Sequence, residues 1–266
     1  SMITAMIKSG IGMVEKIKNC IGIPIIVLFL TAFAWVAESN AGIDASVSFT
    51  PREMAWLEAH PVINAAPDPD YPPVEYFDTK GQYVGIVADY ISLISERLGL
   101  RFNIVRLKNW DEVLEKARAH EIHMVTAATH TVQREAYLSF TSPLVKMPIV
   151  IIARQNETRN LAMDNLKGMK IAVVHRYAVN DFINNTYPGM DLFPVSDTQT
   201  GLRKVSFGTV DVMVANVATA SYNIEKENIA NLRIAGESGF VYNLAFAPTR
   251  ANPELHSILE KGLGVI

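Results

Sequence analysis

The sequence predicts an α/β protein, and three observations carry that reading. From Phe49 to the C-terminus, segments with helical periodicity alternate with short apolar strands. Two of the helix–strand units resemble one another residue by residue, which points to two like lobes. Both of their strands end in small polar residues, at the edge where open α/β sheets bind ligands.

A chain of 266 residues holds one large domain or two small ones, with apolar residues enough for real cores. Its net charge is −3 and only 19% of its residues are charged. That balance offers no basic surface to nucleic acid, so electrostatics name no macromolecular partner.

Residues 1–46 differ from the rest. The run Ile21–Ala37 carries no charge, and Lys8, Lys16 and Lys18 precede it. This is the pattern of an export signal or membrane anchor with its lysines in the cytoplasm. Ser39 and Ala41 are small residues where a signal peptidase reads, so cleavage near Ala41 and retention as an anchor both stand open. Either way, the remainder of the chain is exported. Ser1, ahead of Met2, is read as an expression scar. The single cysteine, Cys20, precedes the apolar run, so the exported part can form no internal disulfide. It is also wrongly placed for lipidation, and a bacterial periplasm is the expected compartment.

The ordered pattern begins at "FTPREMAWLEAHPVI". Thr50 stands at the N-cap, Pro51 at the first helical position and Glu53 three beyond the cap, which is a capping box. A short helix therefore precedes the first strand, "VINAA". After the turn-rich "PDPDYPP" come a hairpin around "DTKGQ", a helix through "ADYISLISERLGL" and a strand "RFNIVRL".

The internal similarity joins "VLEKARAHEIHMVTAAT" (113–129) to "GLRKVSFGTVDVMVANVAT" (201–219). Leu114 aligns with Leu202, Lys116 with Lys204, Ile122 with Val210 and Met124 with Val212, while His123 falls opposite Asp211. Chance is the competing account, since helix–strand units share such patterns generally. If the similarity is structural, the two polar strand ends face each other across a cleft.

Several separated motifs, "VINAAPDPDYPPVEYFDTKGQYVGIVADYISLISERLGLRF", "TAATHTVQREAYLSFTSPL", "LKGMKIAVV" and "GTVDVMVAN", resemble in order and spacing the family 3 periplasmic solute-binding proteins. These are the Venus-flytrap type that captures amino acids, and the resemblance runs from about Val62 to the C-terminus. The lead-in "TPREMAWLEAHPVI" looks more like the flytrap domains of bacterial sensor histidine kinases and diguanylate cyclases than like free transport proteins. The resemblance implies a type II periplasmic-binding-protein fold of two lobes joined by two crossing strands, here about 146–154 and 240–248. Lobe 1 is then 47–148 with 241–266, and lobe 2 is 149–240. Closure on a ligand is a hinge motion.

In that family an arginine beyond the polar strand end grips the ligand carboxylate, and Arg134 matches it. A guanidinium presents paired donors in the plane of a carboxylate. The bland alternative is a surface arginine pairing with Glu135 or Asp111. Thr126 and Thr129, with Ala127 between them, match positions that present hydroxyls or amides to the same carboxylate; helix capping is their ordinary role. Tyr71 corresponds to the aromatic that packs over the ligand, with Tyr76 as a further wall residue, although either can simply bury area against the loop.

Lobe 2 departs from the amino-acid binders. Where they carry an aspartate for the ligand ammonium, this chain has Asn216, which brings no negative charge. Where they carry glycine and threonine after "VV", it has His175, Arg176, Tyr177 and Ala178, and Arg176 adds positive charge if it faces the cleft. These changes shift the expected ligand from an amino acid toward a carboxylate without an ammonium, or a dicarboxylate, unless Asp68, Asp70 or Glu75 supplies the missing charge.

No histidine pair stands at helical metal-ligand spacing within a recognisable motif, so neither a metal nor a cofactor is expected. Met124 and Met213 read as core. Some proteins of this fold are exported dehydratases, which need an acid aimed at the leaving hydroxyl; Asn216 removes the obvious lobe 2 acid, and no Ser-His-acid set is signalled. The chain ends at "HSILEKGLGVI", within or just after a helix, which reads as a piece of something longer. The expected role is the sensor domain of a membrane receptor, able to pair as a homodimer, with a free transport component as the alternative.

Overall fold

The computed structural model describes residues 47–266; the expected signal or anchor and Cys20 lie outside the described residues. The first described element is α1 (Pro51–Ala59). Its capping box is complete: the Glu53 N–H donates to the Thr50 hydroxyl at 3.2 Å, and the Thr50 N–H donates to the Glu53 carboxylate at 2.6 Å. Then come β1 (Ile63–Ala66), the small antiparallel sheet β2 (Asp70–Tyr71), β3 (Glu75–Phe77) and β4 (Tyr83–Val84), and α2 (Ile86–Leu98). They are followed by β5 (Phe102–Ile104), α3 (Trp110–Arg118), β6 (Met124–Thr129), α4 (Val132–Glu135) and β7 (Val145–Arg154). A 3-10 turn at Met163–Asn165 precedes β8 (Lys170–Val174), α5 (Ala178–Thr186), β9 (Asp191–Val195), α6 (Thr198–Ser206), β10 (Val212–Asn216) and α7 (Val217–Lys226). The last described elements are β11 (Leu232–Pro248) and α8 (Pro253–Leu263).

One eight-stranded sheet runs β5-β1-β6-β11-β7-β10-β8-β9. β1 is parallel to β5 and β6, and β8 is parallel to β9 and β10. Between these triplets lie β11 and β7, antiparallel to each other and to their outer neighbours. The order is palindromic, and each parallel triplet with its helices is one lobe. Parallel strands buried on both faces read as unbroken apolar runs, which is why β6, β8 and β10 are buried along most of their length.

β7 and β11 are the strands that pass from lobe to lobe. β11 begins at Leu232, earlier than the sequence pattern marks it, because its first half also pairs with β7 inside lobe 2, from Leu232 opposite Arg154 onward. The ladder then slips between Glu237 and Val241. Gly239 takes φ 77° there, a conformation open to glycine, and the Ser238 hydroxyl donates to the Ile149 carbonyl at 2.8 Å.

The internal similarity is structural. α3 with β6 and α6 with β10 occupy equivalent places beside the crossing strands. The His123 and Asp211 exchange then has a physical account. His123 Nδ1 accepts the Asn64 N–H of β1 at 2.8 Å, and the Asp211 carboxylate accepts the Lys170 N–H of β8 at 2.7 Å. In both lobes an N–H at the start of the neighbouring strand finds an acceptor on the same residue of the repeat, and an imidazole nitrogen serves as well as a carboxylate oxygen.

Candidate functional site

The first wall of the cleft comes from the end of β6. The chain leaves the strand at Thr129, turns, and enters α4 with Thr131 as its N-cap, whose hydroxyl accepts the Arg134 N–H at 3.3 Å. Capping therefore belongs to Thr131 and not to Thr126 or Thr129. The turn brings the Arg134 side chain back beneath the strand end, where the residue is only 4% exposed. Nη1 donates to the Thr129 carbonyl and Nη2 to the Arg176 carbonyl of the opposite lobe, both at 2.9 Å. The guanidinium also lies 5.1 Å from the centre of the Trp110 ring. Glu135 pairs instead with His130 and Arg250, and Asp111 with His175 and Arg176, so Arg134 is not a surface ion-pair residue. Burial pushes its pKa below the usual arginine value.

The second wall is the turn from β8 into α5. Arg176 sits there at φ 57°, in the left-handed region that costs a non-glycine residue about 1 kcal/mol or more. That conformation aims its carbonyl at lobe 1, where it accepts from Arg134 and, at 3.3 Å, from Trp110 Nε1. Its side chain turns away to the rim, 3.6 Å from Asp111 and 3.4 Å from Glu115. The positive charge expected of Arg176 if it faced the cleft is thus spent on acids of α3, and the cleft receives its carbonyl.

Further bonds join the walls. The Tyr177 hydroxyl donates to Asp68 Oδ2 at 2.5 Å, and the ring packs edge-on against Tyr71 and Trp110, with centroids 5.5 and 6.1 Å away. Asn216 is buried and uses both halves of its amide. Its oxygen accepts from the Ala218 N–H at 2.8 Å, capping α7, and its nitrogen donates to the Tyr71 hydroxyl at 2.6 Å. Tyr242 of β11 supports lobe 2 from below by accepting the Val179 N–H at 3.1 Å.

What remains between the lobes is a cavity of about 20 Å³, room for one water-sized body. Of the residues singled out in the sequence, Asp68, Tyr71, Ala127, Thr129, Arg134, Tyr177 and Ala178 line it. Trp110 and Tyr242 complete the aromatic wall. Trp110 and Tyr242 had no signal of their own, since an aromatic at a helix start or on a crossing strand reads equally as core. The Thr129 hydroxyl is buried and has no hydrogen-bond partner.

Thr126, Tyr76 and Asn216 lie outside this lining. Tyr76 meets Tyr222 of α7 with ring centres 6.1 Å apart, another contact between lobes. Thr126 donates its hydroxyl to Glu75 at 2.5 Å. Glu75 also accepts from the Asp68 N–H and the Tyr83 hydroxyl, each at 2.9 Å. Burial pushes the Glu75 carboxyl up to about 8 against these donors, and pushes Asp68 up to about 6 against its bond from Tyr177. Of the acids named as replacements for the missing aspartate, Asp68 is the one on the cavity wall.

The model of the bacterial extracellular solute-binding proteins, family 3, matches residues 63–266. The chain belongs to that family. The virulence sensor protein BvgS of Bordetella pertussis is 30% identical over 233 residues, which are 87% of this chain and 19% of the relative. The sensor protein EvgS of Escherichia coli is 23% identical over 236 residues, with the same coverage of 87% and 19%. The chain thus spans about a fifth of the length of these curated relatives. Among solved structures, the periplasmic VFT2 domain of Bordetella pertussis BvgS superposes with a TM-score of 0.75 at 31% identity, covering 82% of this chain and 94% of that one. Arginine-binding ArgBP of T. maritima in its holo form gives 0.69 at 21% identity, covering 79% and 92%, a likeness of fold alone. The α/β Venus-flytrap architecture is therefore common to all three.

Proposed function

We propose that residues 47–266 form the extracytoplasmic sensor domain of a membrane signalling receptor, closing on a small carboxylate or amino-acid-like ligand. The observation that carries this reading is Arg134: a buried guanidinium at the mouth between two lobes, held by neutral carbonyls and beside an unpartnered Thr129 hydroxyl. Such a group is placed to take a carboxylate in two parallel hydrogen bonds once the lobes part. Asp68, on the same wall, is placed to meet an ammonium in place of the aspartate that Asn216 replaces.

The likeness to BvgS and EvgS supports the sensor over a free transport component, as do the bonds that close the cleft directly from lobe to lobe. A ligand has to displace the Arg176 carbonyl and the Tyr177–Asp68 bond, so its effect is a shift between a self-closed and a liganded state. The slip in β11 around Gly239 is the natural hinge. Signalling then depends on unequal affinity for the two states. Among the described residues no helix is long and apolar enough to cross a membrane, so attachment falls to other parts of the receptor. No step of catalysis is assigned.

The test is a thermal-shift screen of the full chain against amino acids, dicarboxylates, aromatic acids and amines, with Arg134→Ala alongside. A ligand at about 100 times its dissociation constant adds about 2.7 kcal/mol to stability. Stabilisation by carboxylates that Arg134→Ala abolishes supports the clamp. Stabilisation by amines alone, or a shift unchanged in the variant, refutes it.

A further inference from the structure

We propose that His123, with His60 beside it, is an acid-sensitive fastening at the base of lobe 1. A proton on His123 Nδ1 releases the Asn64 N–H and loosens β1 from β6, while lobe 2 keeps its own fastening. This goes beyond the sensor reading and does not depend on the ligand clamp, because His123 stands at the opposite end of β6 from Thr129.

The two lobes are stitched alike except for one chemical difference. His123 and Asn64 exchange two bonds: the His123 N–H donates to the Asn64 carbonyl at 2.9 Å, and the Asn64 N–H donates to His123 Nδ1 at 2.8 Å. In lobe 2 the Asp211 N–H donates to the Lys170 carbonyl at 2.9 Å, and the Lys170 N–H donates to the Asp211 carboxylate at 2.7 Å. The His123 carbonyl also accepts the Thr249 N–H at 2.9 Å, so this one residue ties β1, β6 and the end of β11. A carboxylate remains an acceptor throughout the range in which histidine titrates. An imidazole whose Nδ1 accepts carries its proton on Nε2, and a second proton turns Nδ1 into a donor facing the N–H it held.

The surroundings disfavour that second proton while the fastening holds. The His60 ring, stacked on Trp56 with centres 4.3 Å apart, stands edge-on to His123 at 5.2 Å. His60 Nδ1 donates to the Trp56 carbonyl at 2.8 Å, which fixes its ring. Among the described residues no carboxylate pairs with His123. Glu254, an acid that acts on His60, pairs with Arg52, and Glu58 and Arg101 line one groove with His60. Glu121, ahead of β6, pairs with Lys116, and Arg250, beyond β11, pairs with Glu135. Burial, and then the charge of His60, accordingly hold the His123 imidazole below its ordinary value of 6.5. A group held down in this way contributes stability above that value and loses it as pH falls through its folded value. Asp68 and Glu75 act with the opposite sign, so a global melt mixes the effects and the readout has to be local.

The experiment is residue-resolved hydrogen exchange of the full chain at about pH 7.5 and about pH 5, corrected for intrinsic rates, together with nitrogen NMR of the histidine rings. Protection of the Asn64 N–H should fall about threefold to tenfold on acidification, the worth of one hydrogen bond, while the Lys170 N–H keeps its protection. His123→Asp gives lobe 1 the acceptor of lobe 2, so its Asn64 N–H should be equally protected at both pH values. His60→Gln removes the neighbouring imidazole, and the His123 titration midpoint should then move up toward 6.5. The ring spectrum of the parent should show His123 with its proton on Nε2 at about pH 7.5. Equal protection of Asn64 in the parent at both pH values, or a Lys170 N–H that loses protection in step with it, would overturn the proposal. So would a pH-dependent Asn64 N–H in His123→Asp, a proton on His123 Nδ1, or a midpoint unmoved by His60→Gln. The parent's own amides and ring decide the matter even if a variant fails to fold. A carboxylate screen that finds no ligand leaves these readouts untouched, so the two readings fail separately.

Discussion

Arg134 of the first lobe donates to the carbonyl of Arg176 in the second at 2.9 Å, and that carbonyl is turned toward it by a left-handed backbone at φ 57°. The guanidinium proposed to hold a ligand carboxylate is thus occupied by the protein's own main chain. On the proposed reading, closure and ligand binding compete for one guanidinium.

Arg134→Ala removes the charged donor from the buried Thr129 carbonyl and from the Arg176 carbonyl, which keeps its bond from Trp110 Nε1. The expected cost is about 2 kcal/mol, within the range of about 1.5–3 kcal/mol for a hydrogen bond from a charged group. Urea unfolding measures it; a loss below about 1 kcal/mol would mean that water takes over both carbonyls.

Arg176→Gly should behave quite differently. Glycine relieves the left-handed strain of about 1 kcal/mol, while the rim contacts to Asp111 and Glu115 are worth about 0–1 kcal/mol as partly exposed pairs. The net change in stability is expected near zero, and the carbonyl stays. Small-angle scattering should report the same closed radius of gyration as the parent; an expanded particle would show that the side chain, not the backbone, holds the rim.

Tyr177→Phe removes the donor to Asp68 across the cleft. A bond to an ionised partner contributes about 1.5–3 kcal/mol, so the loss should be largest where Asp68 is charged, near pH 8, and smaller near pH 5. Equal losses at both pH values would place the proton of that bond elsewhere.

Stability should rise as pH falls from about 8 to about 5. Asp68 and Glu75 have folded pKa values raised by burial, to about 6 from 3.8 and about 8 from 4.5. Between the unfolded and folded values the native state binds more protons, so stability falls as pH rises through those windows. Glu53 acts in the opposite sense at lower pH. Burial opposes its ionisation, but hydrogen bonds from Lys261, Ser257 and Thr50 outweigh it and hold the carboxyl at about 2, so its contribution is lost as pH falls from 4.5 toward that value. Denaturant melts from pH 4 to 9 on the parent and Glu75→Gln check this: the variant should lose most of the slope between about pH 8 and 5.

Gly236→Ala should be strongly destabilising. A Cβ built there lies 1.7 Å from the Leu161 carbonyl oxygen, a backbone atom that cannot rotate aside. The cost is expected at about 3 kcal/mol or more, the upper end for overpacking. Soluble protein with the parent's melting temperature would show that the segment around Leu161 moves freely.

The sequence by itself determined the class of fold, the capping box at Thr50, the repeated helix–strand unit and the place of Arg134. The first three rest on local periodicity or spacing, and the polar end of "MVTAAT" and the like run "DVMVAN" can be read without knowing what they touch, whereas the place of Arg134 rests on the family resemblance, since its local pattern alone reads as a surface arginine. Tertiary structure decided where groups point. Arg176 looked like a second cleft cation, but a positive φ sends its side chain to the rim and its carbonyl inward. Thr126 looked like a partner of Thr129, but successive strand residues face opposite ways, and odd spacing put Thr126 on Glu75 while Thr129 reached the cavity. Asn216 read as a lost charge, whereas in the fold its amide joins α7 to Tyr71 of the other lobe. Those outcomes depend on which surface of a distant segment arrives opposite each residue, and no local pattern in a chain encodes that.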